Sequence, residues 1–246
     1  MMSLDDLPNE LILLVIQQLP LPTLITSRRA SRRWKQLTES AQLLYGRKDL
    51  LGLYFEAVHN QAFLQMRPAL IPLLSRFGDR SRYLVSVQSE VASPLPQIFV
   101  TWVLEWPTRA AIGEFWPFWY ALPPRGPDAP PGWRVGTSLL GARRIVKNVI
   151  LGGEPIQDGV VSCRQTYDFQ KEFCQHPNRA TGLVTSFDDK FSIEMLIIAG
   201  HGSAQSFVGS VCTLTSQNRL HVGSGWVPFL KAELRRQESA IRNPSG

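Results

Sequence analysis

The chain has 246 residues, 44% of them hydrophobic and 19% charged, with a formal net charge of +6. At roughly 150 residues per domain this allows one or two domains, each able to build a core, and it excludes a disordered chain. Its 18 Gly and 18 Pro follow no period, which excludes a collagen-like repeat and a long coiled coil and predicts many turns.

The first 45 or so residues read as a small helical unit. Asp5 and Asp6 precede Pro8, a suitable first helical residue, and Glu10 adds negative charge to the first turn. Leu11, Leu14, Val15 and Leu19 follow at helical spacing until Pro20 and Pro22 stop the helix. Pro22 and Thr23 open a short second helix with Leu24 and Ile25. A third begins near Ala30 and carries the seam Ala30, Trp34, Leu37, Ala41 and Leu44. Residues 46–92 are loosely helical, with Leu50, Leu53, Tyr54 and Val58, then Leu70, Leu73 and Leu74. Leu95, Phe99, Trp102, Val103 and Trp106 predict an amphipathic helix ended by Pro107. Phe115, Trp116, Phe118, Trp119 and Tyr120 follow, so 99–120 is the most aromatic stretch of the chain.

Residues 123–132, with five Pro and two Gly, predict an exposed loop or linker. Strand-like runs follow at 145–151, 159–163, 182–187, 191–199 and 207–214, separated by turn signals such as Gly152-Gly153 and Gly200-His201-Gly202. A helix over 226–238 closes the pattern. The order of helices, strands and a last helix predicts an α+β fold. It comprises an N-terminal three-helix unit at 1–45, a helical aromatic-rich region at 46–122 and a β-rich domain at 133–240. The β-rich part is a mixed or antiparallel sheet with a closing helix.

Signals for covalent chemistry are poor. Cys163, Cys174 and His176 lack a usual zinc spacing. The phosphate-binding glycine loop and the Gly-x-Ser-x-Gly elbow are both absent. His201 reads as part of a strand-connecting turn. The alternation Phe191, Ile193, Met195, Ile197 puts Glu194 on the opposite face, at solvent or a rim. No enzyme activity, cofactor or metal is expected. Three cysteines are too few for a secreted disulfide scaffold, the acidic start is unlike a signal peptide, and no run reaches the ~20 apolar residues of a membrane helix. A cytoplasmic and/or nuclear protein with no membrane partner is expected. Arg28, Arg29, Arg32, Arg33 and Lys35 form a basic cluster with no aromatic interleaving, so it reads as a solvated helix face rather than a nucleic-acid site.

The informative stretch is Leu7-Pro8-Asn9-Glu10-Leu11, then Ile16, Leu19-Pro20, Leu24-Ile25 and Ser31-Arg32-Arg33-Trp34-Lys35-Gln36-Leu37. In order and spacing it closely resembles an F-box, departing from the family where Ser27, Arg29 and Ala30 replace apolar residues. The resemblance implies docking to a Skp adaptor and, through it, to a cullin ubiquitin ligase. The docking residues would be Leu7, Pro8, Leu11, Ile12, Ile16, Leu19, Pro20 and Leu24. Independently, a 45-residue helical unit is too small to bury Leu7, Ile12, Ile16, Leu21 and Leu24 together, so some of them should meet a partner.

Leu104-Glu105-Trp106-Pro107 and Trp116-Pro117 resemble motifs of fungal F-box proteins. The C-terminal half faintly resembles the cell-wall-regulator (Smi/Knr) domain, a mixed sheet whose last strand, here 209–214, precedes a helix containing Phe229-Leu230. The reading is a substrate-recognition adaptor of an SCF-type ligase, with its C-terminal domain facing an unknown protein target. Trp116, Trp119, Tyr120 and Trp133 are possible target contacts. The alternative is an F-box protein acting outside the ligase as a regulatory binding scaffold.

Overall fold

The computed structural model describes residues 7–44, 46–74, 79–89, 91–107, 109–110, 112, 145–156, 160–165, 179–187, 193–200, 202–214 and 219–242. The linker expected at 123–132 and the aromatic residues Trp116, Trp119, Tyr120 and Trp133 lie outside them, as does His201. The fold is α+β. Among the described residues seven helices come first: α1 (Asn9–Gln18), α2 (Leu21–Ala30), α3 (Arg32–Ser40), α4 (Arg47–His59), α5 (Gln61–Leu74), α6 (Arg80–Gln88) and α7 (Gln97–Glu105). Six described strands follow: β1 (Ile145–Ile156), β2 (Val160–Gln165), β3 (Arg179–Phe187), β4 (Ile193–Gly200), β5 (Ser210–Leu214) and β6 (Arg219–Gly225). A 3-10 helix (Gly202–Phe207) joins β4 to β5, and α8 (Trp226–Arg242) follows β6.

Local chemistry sets these boundaries. Pro8 and Pro20, both extended, precede α1 and α2, where a proline loses no helical bond. The third helix starts two residues later than its apolar seam predicts. Ser31 is extended at φ −156°, and its hydroxyl accepts the Trp34 N–H at 3.2 Å, which makes it an N-cap. Ala30 and Leu44 consequently fall outside the helix and are exposed, while Leu37 and Ala41 are buried. Asp79 caps α6 through the N–H groups of Ser81 and Arg82.

The strands close into an antiparallel barrel in the order β1-β2-β6-β5-β4-β3, so the antiparallel alternative holds, and every strand pair among the described residues is antiparallel. Strand β6 was not predicted, because its two glycines and His221 break the apolar alternation. It separates the strand at 210–214 from the closing helix, unlike the direct strand-to-helix step that the cell-wall-regulator resemblance implies. Gly223 is required there, since a Cβ would lie 2.5 Å from the Val211 carbonyl oxygen on β5.

Both faces of β4 are buried over 195–198, while the side chain of Glu194, expected at solvent or a rim, lies outside those the structure describes. Leu196 and Ile198 join the helical core, whereas Met195 and Ile197, with Cys212 of β5, are buried on the other side. A six-stranded barrel is narrow enough to be filled by such side chains.

One hydrophobic cluster runs from Ile12, Ile16, Leu21 and Leu24 through Leu50, Leu53, Phe99, Trp102 and Trp106 to Leu196, Val211, Trp226, Leu230 and Leu234. The predicted seam of Phe99, Trp102 and Trp106 is core, and Trp226 completes it edge-on, with ring centroids 5.6 Å from Phe99 and 5.0 Å from Trp102. Helix α8 packs on α4, α5, α7 and both β5 and β6. Buried Asn60 fixes this seam: its Oδ1 accepts the Phe63 N–H at 3.0 Å, capping α5, and its Nδ2 donates to Glu238 of α8 at 3.1 Å. No helix among the described residues is long and apolar enough to cross a membrane.

Candidate partner-docking surface

Helix α1 reads Asn-Glu-Leu-Ile-Leu-Leu-Val-Ile-Gln-Gln and is apolar nearly all round. A helix of that kind needs cover on every side. Ile12 and Ile16, at i and i+4, take the inner face and are fully buried. The outer face keeps Leu11, Leu14 and Val15 at 48%, 58% and 44% exposure, three large apolar side chains on adjacent helical positions. Pro8 and Pro20 are exposed at the helix ends, and Leu7 and Leu19 are half-buried.

The expected docking residues therefore divide. Leu11, Pro8 and Pro20 are accessible and Leu7 and Leu19 partly so, but Ile12, Ile16 and Leu24 line the chain's own core. Of the five side chains that so small a unit should not bury together, Leu7 is half-buried, while Ile12, Ile16, Leu21 and Leu24 are buried for a physical reason. The first three helices do not stand alone: α4 and α7 complete their core, and all four side chains are at most 1% exposed. The surplus that remains is the outer face of α1. Leu14 and Val15 appear in the sequence as members of the helical seam, but spacing alone does not tell which of two apolar faces turns inward.

Two polar joints hold this surface in place. Arg33 of α3 donates through Nη2 to the Leu7 carbonyl at 2.6 Å and through Nε and Nη2 to Asn9 Oδ1 at 3.0 and 2.8 Å, pinning the start of α1. Glu105, the last residue of α7, accepts the Leu21 N–H at 2.9 Å and a two-pronged bond from Arg47 Nε and Nη2 at 2.8 and 2.6 Å. One carboxylate thus caps α2, where the free N–H groups and helix dipole favour negative charge, and ties α2 to the first turn of α4. Burial pushes the Glu105 carboxyl up, but the Arg47 bond, the Leu21 N–H and the Arg47 charge outweigh it and hold it below its ordinary value. Sequence reasoning missed Glu105, since only the fold brings residues 84 positions apart together.

The basic cluster is partly structural. Arg28 pairs with Glu39 at 2.6 Å and lies 4.3 Å over the Phe55 ring, and Arg33 is the clamp just described. Arg29, Arg32 and Lys35 are exposed. Among the described residues no group of three His, Cys, Asp or Glu side chains is placed to hold a metal ion. No curated protein and no solved structure matches the chain. The F-box domain family matches residues 4–45, the segment that carries α1, α2 and α3.

Proposed function

We propose that this chain, an F-box protein by its residues 4–45, is the substrate-recognition adaptor of an SCF-type ubiquitin ligase. The F-box docks a Skp adaptor and through it a cullin, and the C-terminal domain presents a surface to a protein target. The observation that carries the reading is the outer face of α1, where Leu11, Leu14 and Val15 are left exposed inside the family segment. Burying one such side chain fully is worth roughly 1.5–3 kcal/mol, so three that are about half exposed supply a modest but sufficient apolar anchor.

The mechanism is proximity. The chain performs no covalent chemistry and holds a target near a charged ubiquitin-conjugating enzyme, raising its local concentration. A rigid join between docking and presenting parts serves this, because it fixes the target's orientation. The Glu105–Arg47–Leu21 joint and the shared core reaching from Ile12 to Leu234 support such a join.

The test is reconstitution. The full chain co-expressed with a Skp adaptor, a cullin and its RING subunit should purify as one complex and support ubiquitylation of a protein that it captures. A complex with the Skp adaptor that excludes the cullin would instead favour a scaffold outside the ligase.

A further inference from the structure

A second surface lies beside the Glu105 joint. Pro22 of α2, Arg80 of α6, and Leu104, Trp106, Pro107 and Arg109 around the end of α7 line an open cleft of about 560 Å³. Its walls are apolar: Pro22 is exposed and Leu104 is 42% exposed. Its charge is positive. Arg80 Nη1 donates to the carbonyls of Leu104 at 3.0 Å and Trp106 at 2.8 Å, satisfying acceptors that the end of α7 leaves open. Arg109 is exposed, with no hydrogen bond or ion pair among the described residues.

Trp106 is fully buried, its indole N–H donates to the Ala110 carbonyl, and the Ala110 N–H returns to the Pro107 carbonyl at 2.9 Å. Arg109 lies between Pro107 and Ala110, which this bond joins, and beside the exposed Leu104. A guanidinium fork matches a carboxylate in two-pronged fashion.

We infer that this cleft recognises an acidic peptide segment of a partner protein, Arg109 pairing with a carboxylate and Leu104 and Pro107 receiving a neighbouring apolar side chain. The inference rests on the reading of the chain as a recruiting adaptor and names a target chemistry for it. A nucleic-acid backbone fits less well. It asks for a track of several cations, whereas this cleft has two, one already bonded to two carbonyls, on an apolar wall.

The test uses the full chain and a fluorescein-labelled peptide of alternating Asp and Leu, read by anisotropy. Arg109→Glu should weaken binding by about tenfold or more, and Leu104→Ser measurably, while Arg29→Glu with Arg32→Glu on the separate basic face should leave it within about twofold. An Asn–Leu peptide of equal length should not bind. Equal binding of the Asn–Leu peptide, or an Arg109→Glu variant within about twofold of the native chain, overturns the inference. So does single-stranded DNA that binds more tightly with the same Arg109 dependence, or a Skp adaptor that displaces the peptide. Skp-adaptor capture by Arg109→Glu should be unchanged. Peptide binding by a native chain that captures no Skp adaptor would leave the cleft intact and remove the ligase reading instead.

Discussion

Glu105 shows how much one side chain carries in this molecule. Its side chain is 18% exposed and that of Arg47 is 12%, so the pair is shielded enough for its charge to count. Glu105→Gln keeps an acceptor for the Leu21 N–H but removes the charge, and it should cost about 2 kcal/mol in urea unfolding at neutral pH. The folded-state carboxyl sits below its ordinary value of 4.5, so its contribution is complete above that value and is lost as pH falls through the depressed one. The stability gap between the native chain and Glu105→Gln should therefore narrow as the pH is lowered below about 4.5, and a gap constant down to acid unfolding would show that the charge plays no part. Gly46 is the neighbouring constraint. Its φ of +69° disfavours a side chain, and a Cβ there would strike the Ile98 side chain of α7. Gly46→Ala should cost more than about 1 kcal/mol, and adding Ile98→Ala should recover the steric part alone, leaving the backbone strain in a double-mutant cycle.

Helices and strands were legible to different degrees. Prolines mark the starts of α1, α2 and α8 in the sequence, and Pro228 sits in the first turn of α8, where its missing N–H costs nothing. Which face turns inward was less legible. In α1 both faces are apolar, and in β4 the run Met195-Leu196-Ile197-Ile198 is buried on both sides because the sheet closes on itself and also meets the helices. Pattern reading assigns such a strand one wet face, and only the tertiary arrangement reveals the second cover. Strand β6 was missed for a related reason: Gly223 is selected by close approach to Val211, not by strand propensity. At the seam between elements, Asn60 caps α5 and holds α8 through Glu238, so Asn60→Ala should cost about 1–2 kcal/mol, with an unchanged denaturant slope if the chain still unfolds as one unit. Gly223→Ala should cost at least as much, about 1–3 kcal/mol, because the Val211 carbonyl is backbone and does not yield.

At the scale of the whole molecule, the F-box helices, the middle helices, the barrel and α8 share one hydrophobic cluster. The F-box was legible as a motif in the first 37 residues, and the family match to residues 4–45 agrees with it. The proposed docking face was legible only as a list, because reading eight positions from a motif does not separate the side chains that would support such a surface from those that would form it. The structure separates them: Ile12, Ile16 and Leu24 support it, and Leu11, Leu14 and Val15 form its outer face. The central claim is that this outer face binds the Skp adaptor. It is tested most directly by calorimetric titration of a purified Skp adaptor into the native chain and into Leu11→Glu with Leu14→Glu, each checked for an unchanged melting temperature. The account predicts a loss of at least about tenfold in affinity, or 1.4 kcal/mol, with the fold intact. An affinity equal to that of the native chain, in a variant that melts at the same temperature, would contradict it.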